Sequence, residues 1–479
     1  MSPGKKLLTR SQKGLLLCAN LLFYFLFPLL DGPVWCVDSF SYAAMDPSRE
    51  PLCPVLLLLF RTIYGGIPES TGRDSYLFPF VLFQAVLAAF SVWVFSLWCS
   101  GHARQKKQAL VFALAAILPQ WGVVLLNRFV AQRASSYHES IMTEGITLSL
   151  YLLFLVSFLQ SLSKDRKKKD LLYLGLVLFL LISTRKQLLS CVILVLGVSL
   201  LRDLFYLKNL RRFFTIAGVT GLALLTSSLF DYSYNYSVRG IWMSHTGNSM
   251  GICSKLFYTA EEEDAETLQP EDAALFTEIV RRAKQQGAHW SNLPDDATPS
   301  TRTAHYTVSY DIIGYDIMND VLDEAFHRTG QEFLPYARRL QAADVLEQRF
   351  AKALLRQSPR RSFSLTIMLI KMGLLNSIAR DGGMVHALAG LCLYIVYCFL
   401  FLKLYHQEKA AVLADSRRFA DNNRQRILLL AALIILSVIC NVLVTSAVIY
   451  PQTRYTIYTM GVFYTALALL FSEVVLRYN

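Results

Sequence analysis

Charge is what this sequence has least of. Asp, Glu, Lys and Arg make up 17% of the 479 residues, against about 25% in an ordinary soluble domain. That is too little to cover a water-facing surface, so a soluble globular chain is excluded. The common catalytic signatures are missing too. There is no GxxxxGK[ST], no GxGxxG and no HExxH, so no P-loop, dinucleotide fingerprint or zincin helix is encoded. No Asp-x-Asp triplet occurs, which disfavours metal-bound nucleotide-sugar chemistry on a soluble Rossmann domain. The nine cysteines form no CxxC pair and no Cys/His zinc spacing. Several of them (Cys18, Cys191, Cys392, Cys398, Cys440) sit inside apolar runs, and a Cys36–Cys53 disulfide in the first outer loop is left open. No internal repeat is evident, which counts against a secondary transporter built from two echoing halves.

What the chain does have is apolar length. Hydrophobic residues make up 54% and the mean hydropathy is +0.38; about 18 or more consecutive apolar residues read as a bilayer span. Ten spans are expected: Gly14–Leu30, Tyr76–Cys99, Ala109–Leu126, Glu144–Leu162, Leu171–Ser183, Leu188–Leu201, Phe214–Phe230, Met384–Leu404, Leu428–Val448 and Thr456–Leu476. The fifth and sixth are short, with Thr184, Arg185 and Lys186 between them, and read together as a hairpin whose tip lies below the membrane surface. The first run has no small-residue cleavage site and reads as a retained span. The fold class is therefore an all-α polytopic membrane protein.

Basic residues then orient it. Lys5, Lys6, Arg10 and Lys13 precede the first span. Loops 100–107 (Arg104, Lys106, Lys107), 163–170 (Lys164, Arg166, Lys167, Lys168, Lys169), 202–213 (Arg202, Lys208, Arg211, Arg212) and 405–427 (Lys409, Arg417, Arg418, Arg424, Arg426) are all basic. The short loops opposite hold only Arg49, Arg61, Arg73, Arg128, Arg133, Arg185, Lys186 and Arg454. The positive-inside rule places both termini in the cytoplasm. Most of the formal +12 charge is then topology, and no nucleic-acid partner is expected.

The chain divides into three stretches: a membrane module 1–230 with a first outer loop 31–75, an outer region 231–383, and C-terminal helices 384–479. In loop 31–75 the run Pro51–Phe60 is half a span long and reads as an interfacial helix. In the outer region, Pro270-Glu-Asp opens a helix that Gly287 can close. Tyr336, Leu340, Ala343, Phe350 and Leu354 mark one face of another, ended before Pro359. The remainder, around Asn292–Ser300, reads as loops. Asn235-Tyr-Ser237 fits a glycosylation sequon.

Chemistry, on this reading, belongs to the outer face. Asp38, just past the first span in Val37-Asp38-Ser39-Phe40-Ser41-Tyr42, could take a proton from an acceptor hydroxyl beside a lipid-held donor; a loop acid or helix N-cap is the plainer alternative. The pattern Asp38-Ser39-x-x-Tyr42, then Arg49-Glu50-Pro51-Leu52-Cys53-Pro54 and an apolar helix ended by Tyr64-Gly65-Gly66, resembles the opening of GT-C glycosyltransferases. These polytopic enzymes include protein O-mannosyltransferases and lipid A aminoarabinose transferases. The resemblance continues in order at Thr143-Glu144-Gly145, at Ser183-Thr184-Arg185 and at Arg454-Tyr455-Thr456. It implies transfer of a sugar from a polyprenyl-phosphate-linked donor to a glycan, lipid or protein hydroxyl on the extracytoplasmic side of a bacterial plasma membrane, with Asp38 as base. Many relatives carry two adjacent acids where this chain has Asp38-Ser39, so a divalent metal stays an open option without a defined ligand set.

Arg185 and Lys186, on the side where basic residues are scarce, offer a fork and a point charge to the leaving phosphate; snorkelling at a span end is their plain alternative. Arg454 gets the same argument. Arg185→Ala is expected to weaken donor use and leave the fold intact. Glu144 divides evenly between helix-start acid and active-site acid. Tyr42, His138 and His245 are further candidates for acceptor or acid–base roles, His245 within the polar stretch His245-Thr246-Gly247-Asn248. Two rival functions share these features: a flippase or exporter of lipid-linked oligosaccharide, and an O-antigen-polymerase-like transferase.

Overall fold

The structure is a computed structural model; it describes residues 7–70, 72–130, 136–163, 166–247, 249–379, 384–414 and 423–475. Lys5, Lys6, Arg133, Lys164, Asn248, Arg417, Arg418 and Leu476, named above, lie outside the described residues. Among the described residues there is no strand. The helices in chain order are α1 (Arg10–Asp31), α2 (Ser39–Ala43), α3 (Leu52–Tyr64), α4 (Leu77–Ser100), α5 (Lys106–Leu125), α6 (Glu144–Leu162), α7 (Lys168–Thr184), α8 (Leu189–Ser199) and α9 (Leu210–Arg239). They continue as α10 (Ser249–Phe257), α11 (Pro270–Gln285), α12 (Pro299–Asp311), α13 (Asn319–Arg328), α14 (Tyr336–Gln357), α15 (Pro359–Asn376), α16 (Met384–Ala414), α17 (Asn423–Val448) and α18 (Thr453–Val475).

Nine of the described helices are long and apolar enough to cross a membrane. The ten expected spans each find a helix, and the one outside those nine is the fifth. That helix, α7, has 17 residues, a rise of about 26 Å, and yet it traverses the bundle. It runs antiparallel to α6, and the residue after its end, Arg185, bonds Glu144 at the start of α6. The centre of the bundle is α6, with 83% of its apolar stretch buried. It packs against α4, α7 and α18, while α1, α5, α9, α8 and α17 complete the ring. Gly145 sets the closest approach, because a Cβ there would lie 2.3 Å from Gln84 Oε1 and 2.8 Å from the Tyr137 carbonyl. Any larger residue would push the 136–143 segment off the start of α6.

Local chemistry fixes the helix ends. A capping box opens α1, with Thr9 Oγ1 accepting from the Gln12 N–H and Gln12 Oε1 from the Thr9 N–H. Arg73 closes it by donating to the carbonyls of Leu29 and Leu30, groups that a helix end otherwise leaves unsatisfied. Charged residues gather at the two ends of the bundle. One end has Arg104 and Arg424 on Glu473 and Arg212 on Asp203. The other end has Asp38, Glu144 and their partners.

Region 231–383 departs from the sequence reading in extent. Its first two turns continue α9, which is 30 residues long and carries Asp231 beyond the expected end at Phe230. The two expected helices form: Pro270 stands at the first position of α11, and α14 buries Leu346, Phe350 and Leu354. The expected loops are largely helix, however. Thr298 accepts the Thr301 N–H and Pro299 takes the first position, so α12 starts inside the stretch read as loop, and α15 begins at Pro359 itself. The helices α10–α15 share a core of their own that includes Phe257, Phe276, Ile313 and Phe350. Lys255 ties this core to the bundle: its Nζ donates to the carbonyls of Ser446 at 2.6 Å and Ala447 at 3.1 Å, at the end of α17.

One sequence match falls away, and one pairing the sequence left open is not formed. The sequon residue Asn235 is wholly buried, with Nδ2 donating to the Asp231 carbonyl and Oδ1 accepting from Arg239, so its amide is out of reach of modification in this fold. No disulfide joins Cys36 to Cys53, and Cys53 is buried in α3.

Candidate active site

The segment after α1 is clamped before it reaches Asp38. The Val34 N–H donates to the Glu139 carbonyl at 2.8 Å, and the Ile141 N–H donates to the Val34 carbonyl at 3.0 Å. Ser39 Oγ adds a bond to the Ile141 carbonyl at 2.9 Å. This bridge lays 33–39 along 139–141, so Asp38 and Glu144 emerge on the same end of the bundle although far apart in sequence.

Asp38 precedes the short α2 but makes no side-chain cap bond. Its carboxylate is held by two guanidiniums instead. Arg49 Nη2 lies 2.8 Å from Oδ1, and Arg454 Nη1, from the first turn of α18, lies 2.6 Å from Oδ2. Burial alone would raise this carboxyl, but the attraction and hydrogen bonds of Arg49 and Arg454 outweigh it and hold Asp38 below the usual carboxylate range. The tight turn that delivers Arg49 is built on Asp46, whose Oδ1 accepts from the Ser48 N–H and Oγ. Arg49 also donates to Ser41 Oγ at 2.8 Å and lies 4.7 Å above the centre of the Tyr42 ring.

Next to this triad, Arg185 Nη2 donates to Glu144 Oε1 at 3.0 Å, with the side chains 9% and 1% exposed. Arg185 and Arg454 flank one ring, Tyr455, at 5.2 and 4.9 Å from its centre, and Arg454 Nη2 donates to the Tyr455 hydroxyl at 2.9 Å. Each guanidinium keeps a buried nitrogen without a hydrogen-bond partner, Nη1 of Arg185 and Nε of Arg454, and Glu144 Oε2 is also buried and unbonded. Lys186 is held through Glu50, which accepts its N–H at 2.8 Å, and through Asp231, 3.6 Å from its Nζ. Asp231 also accepts from His245, at Nδ1 (2.5 Å) and at the backbone N–H (3.1 Å). Burial works against charging that imidazole, but Asp231 and Glu50 prevail and raise its pKa.

Of the residues singled out from the sequence, Asp38, Tyr42, Glu144, Arg185, Lys186, Arg454 and His245 are thus brought together. Tyr42 is buried, with burial first among the causes that push its hydroxyl up to about 12, so it is a packing and hydrogen-bonding residue in this arrangement rather than an acid. His138 is turned elsewhere. It packs against the Tyr24 ring at 4.8 Å, and burial drives its pKa down to about 3, which leaves it neutral and unsuited to the acid–base role its loop position suggests. The polar stretch after His245 is a turn held by Asp344, which accepts from Thr246 Oγ1 and from the Gly247 and Ser249 N–H groups. The sequence alone does not single out Arg49, Glu50, Asp231 or Tyr455 as site residues. Arg49 carries the same signal as Arg185, a cation on the side where cations are scarce. Asp231 has none, since a single acid past a span end is ordinary.

The donor set does not suit a divalent cation. Both oxygens of Asp38 are occupied by guanidiniums, and among the described residues no cluster of three or more His, Cys, Asp or Glu could hold a metal. What the arrangement can do is bind a phosphate: two guanidiniums pinned to one aromatic ring, with unspent donors in a buried setting, beside a carboxylate. No protein-family model, curated protein or solved structure matches this chain.

Proposed function

We propose that the chain is a GT-C-type glycosyltransferase that moves a sugar from a polyprenyl-phosphate-linked donor to an acceptor hydroxyl on the extracytoplasmic face. The observation that carries this reading is the pair Arg185 and Arg454 on Tyr455, beside the carboxylate of Asp38. The bond between the anomeric carbon and the phosphate oxygen breaks as the bond to the acceptor oxygen forms. The phosphate leaves with the electron pair and the acceptor proton passes to Asp38. Arg185 and Arg454 offset the negative charge that grows on the phosphate. At rest Asp38 is a weak base, because two cations hold it; a donor phosphate that draws Arg454 away frees one oxygen and restores its basicity. Glu144 holds Arg185 and is therefore a positioning residue. Glu50 and Asp231 do the same for Lys186.

The test is a transfer assay on purified protein in liposomes with fluorescent polyprenyl-phosphate mannose, glucose and aminoarabinose, read as released polyprenyl phosphate. Sugar-dependent release is the expected result. Movement of intact donor between leaflets without cleavage would replace this reading with the flippase. Sidedness is tested separately by single-cysteine labelling with an impermeant reagent. Position 296 should react from outside in intact cells and position 167 only after permeabilisation; reaction of position 167 from outside inverts the topology and puts the site in the cytoplasm.

A further inference from the structure

The end of the bundle opposite Asp38 gathers three arginines around one acid. Asp203 is wholly buried, in a π-helical turn over Leu200–Tyr206 that follows α8. Arg212 Nε lies 3.0 Å from its Oδ1, and Arg202 Nη1 lies 3.8 Å from the same oxygen. Arg166, between α6 and α7, is close enough to feel both Asp203 and Arg212. Arg202 is repelled by Arg212 and Arg166 together. Among the described residues the cluster sets three cations against one anion.

The three are not held alike. Arg212 Nη2 donates to the carbonyls of Ser161, Leu162 and Ser163 at 3.3, 2.6 and 2.9 Å, groups that the end of α6 leaves unsatisfied. Among the described residues the side chains of Arg166 and Arg202 make no hydrogen bond, and Nη1 of each is buried. A cation at a span end ordinarily snorkels to water, which these two nitrogens do not touch. Burial, and after it Arg212, hold Arg166 below the usual guanidinium range, while Asp203 pulls the other way. A guanidinium keeps its charge all the same, so the cluster has unspent donors and an excess of positive charge.

We propose that Arg166, Arg202 and Arg212 form a binding site for one phosphate group. Guanidinium forks match phosphate oxygens in geometry and charge, and the anion offsets the excess that Asp203 leaves. Two sources share this chemistry, the headgroup of an acidic phospholipid and free phosphate. The surroundings favour the lipid. Leu201, Phe205 and Tyr206, beside Arg202 and one turn on from it, are 62%, 65% and 73% exposed, and exposed aromatic residues at a span end mark a membrane interface. Basic pockets between membrane helices are where acidic headgroups bind. This site is separate from the Asp38 cluster, because Glu144 and Leu162 stand at opposite ends of α6, about 27 Å apart. The proposal is independent of the reaction assigned to Asp38.

Two measurements on the full chain test it. Native mass spectrometry with phosphatidylglycerol or phosphatidylcholine reads the lipid source. Thermal unfolding in nonionic detergent with inorganic phosphate, against chloride at matched ionic strength, reads the free anion. One phosphatidylglycerol should be retained with about tenfold or greater preference over phosphatidylcholine. Arg166→Gln/Arg202→Gln, which leaves Arg212 on its carbonyls, should remove that preference. Arg166→Gln alone, on the loop, should reduce it, so the test stands even where the paired variant misfolds. Lys168→Gln/Lys169→Gln removes the same charge from exposed positions nearby and should leave the preference nearly unchanged. Stabilisation by phosphate that the arginine variants abolish, with no lipid preference, would assign the site to the free anion. No preference in either measurement, or an equal loss from the lysine pair, would overturn the proposal.

Discussion

Asp38→Asn should slow sugar transfer by about 10²–10⁴-fold, the usual contribution of a general base. Asparagine keeps the size of the side chain and can still accept from one guanidinium, but it cannot take up the acceptor proton. Arg49 and Arg454 are already charged at rest, and losing the carboxylate between them removes the anion that competes with donor phosphate. Donor affinity is therefore expected to hold or tighten while kcat falls, so that the loss sits in turnover. A loop acid of merely structural worth gives the opposite signature, with poor expression and near-normal turnover per folded molecule. Arg454→Lys is the companion variant. It keeps a charge near Asp38 but loses the planar fork and the stacking on Tyr455, so donor KM should rise more than kcat falls. Turnover of Asp38→Asn within tenfold of the parent would show that the proton goes elsewhere.

How far the sequence carries this picture depends on the kind of signal. The nine long apolar helices among the described residues are legible because twenty apolar residues have few alternatives in a bilayer, and even the short α7 is visible as one of an interrupted pair. The helices of region 231–383 are half legible. Pro270 and the spacing of Phe350 and Leu354 announce α11 and α14, but α12 reads as loop because Pro, Asp and Thr around 294–299 look like a turn until Thr298 is seen to cap a helix. Site residues are legible where they break a rule, as Arg185, Lys186 and Arg454 break the charge rule. Pairing is not legible at all. That Asp38 meets Arg454 across the whole length of the chain, or that His138 points into the bundle while His245 joins Asp231, depends on how helices pack, and no local spacing encodes it.

Burial also changes the expected behaviour of Arg185. Read as an interface residue, it should be replaceable without harm to the fold. In the structure Arg185 and Glu144 are both buried and paired at 3.0 Å, so Arg185→Ala would strand a carboxylate that is 1% exposed. Breaking one partner of such a pair costs roughly 3–5 kcal/mol, because the remaining charge is left desolvated and uncompensated. Arg185→Ala should therefore lower the thermal unfolding temperature of the detergent-solubilised protein as well as weaken donor use. Arg185→Met combined with Glu144→Met removes both charges and keeps the volume, and should recover most of the lost stability. The donor role then separates cleanly from the structural one. The double variant folds, yet lacks the guanidinium beside Tyr455, so turnover should stay down by one decade or more, as expected for a lost charge-assisted contact worth about 1.5–3 kcal/mol. An unchanged unfolding temperature in Arg185→Ala would mean the pair is solvated in the membrane. Full activity in the double variant would remove Arg185 from the phosphate site and leave that work to Arg454 and Lys186.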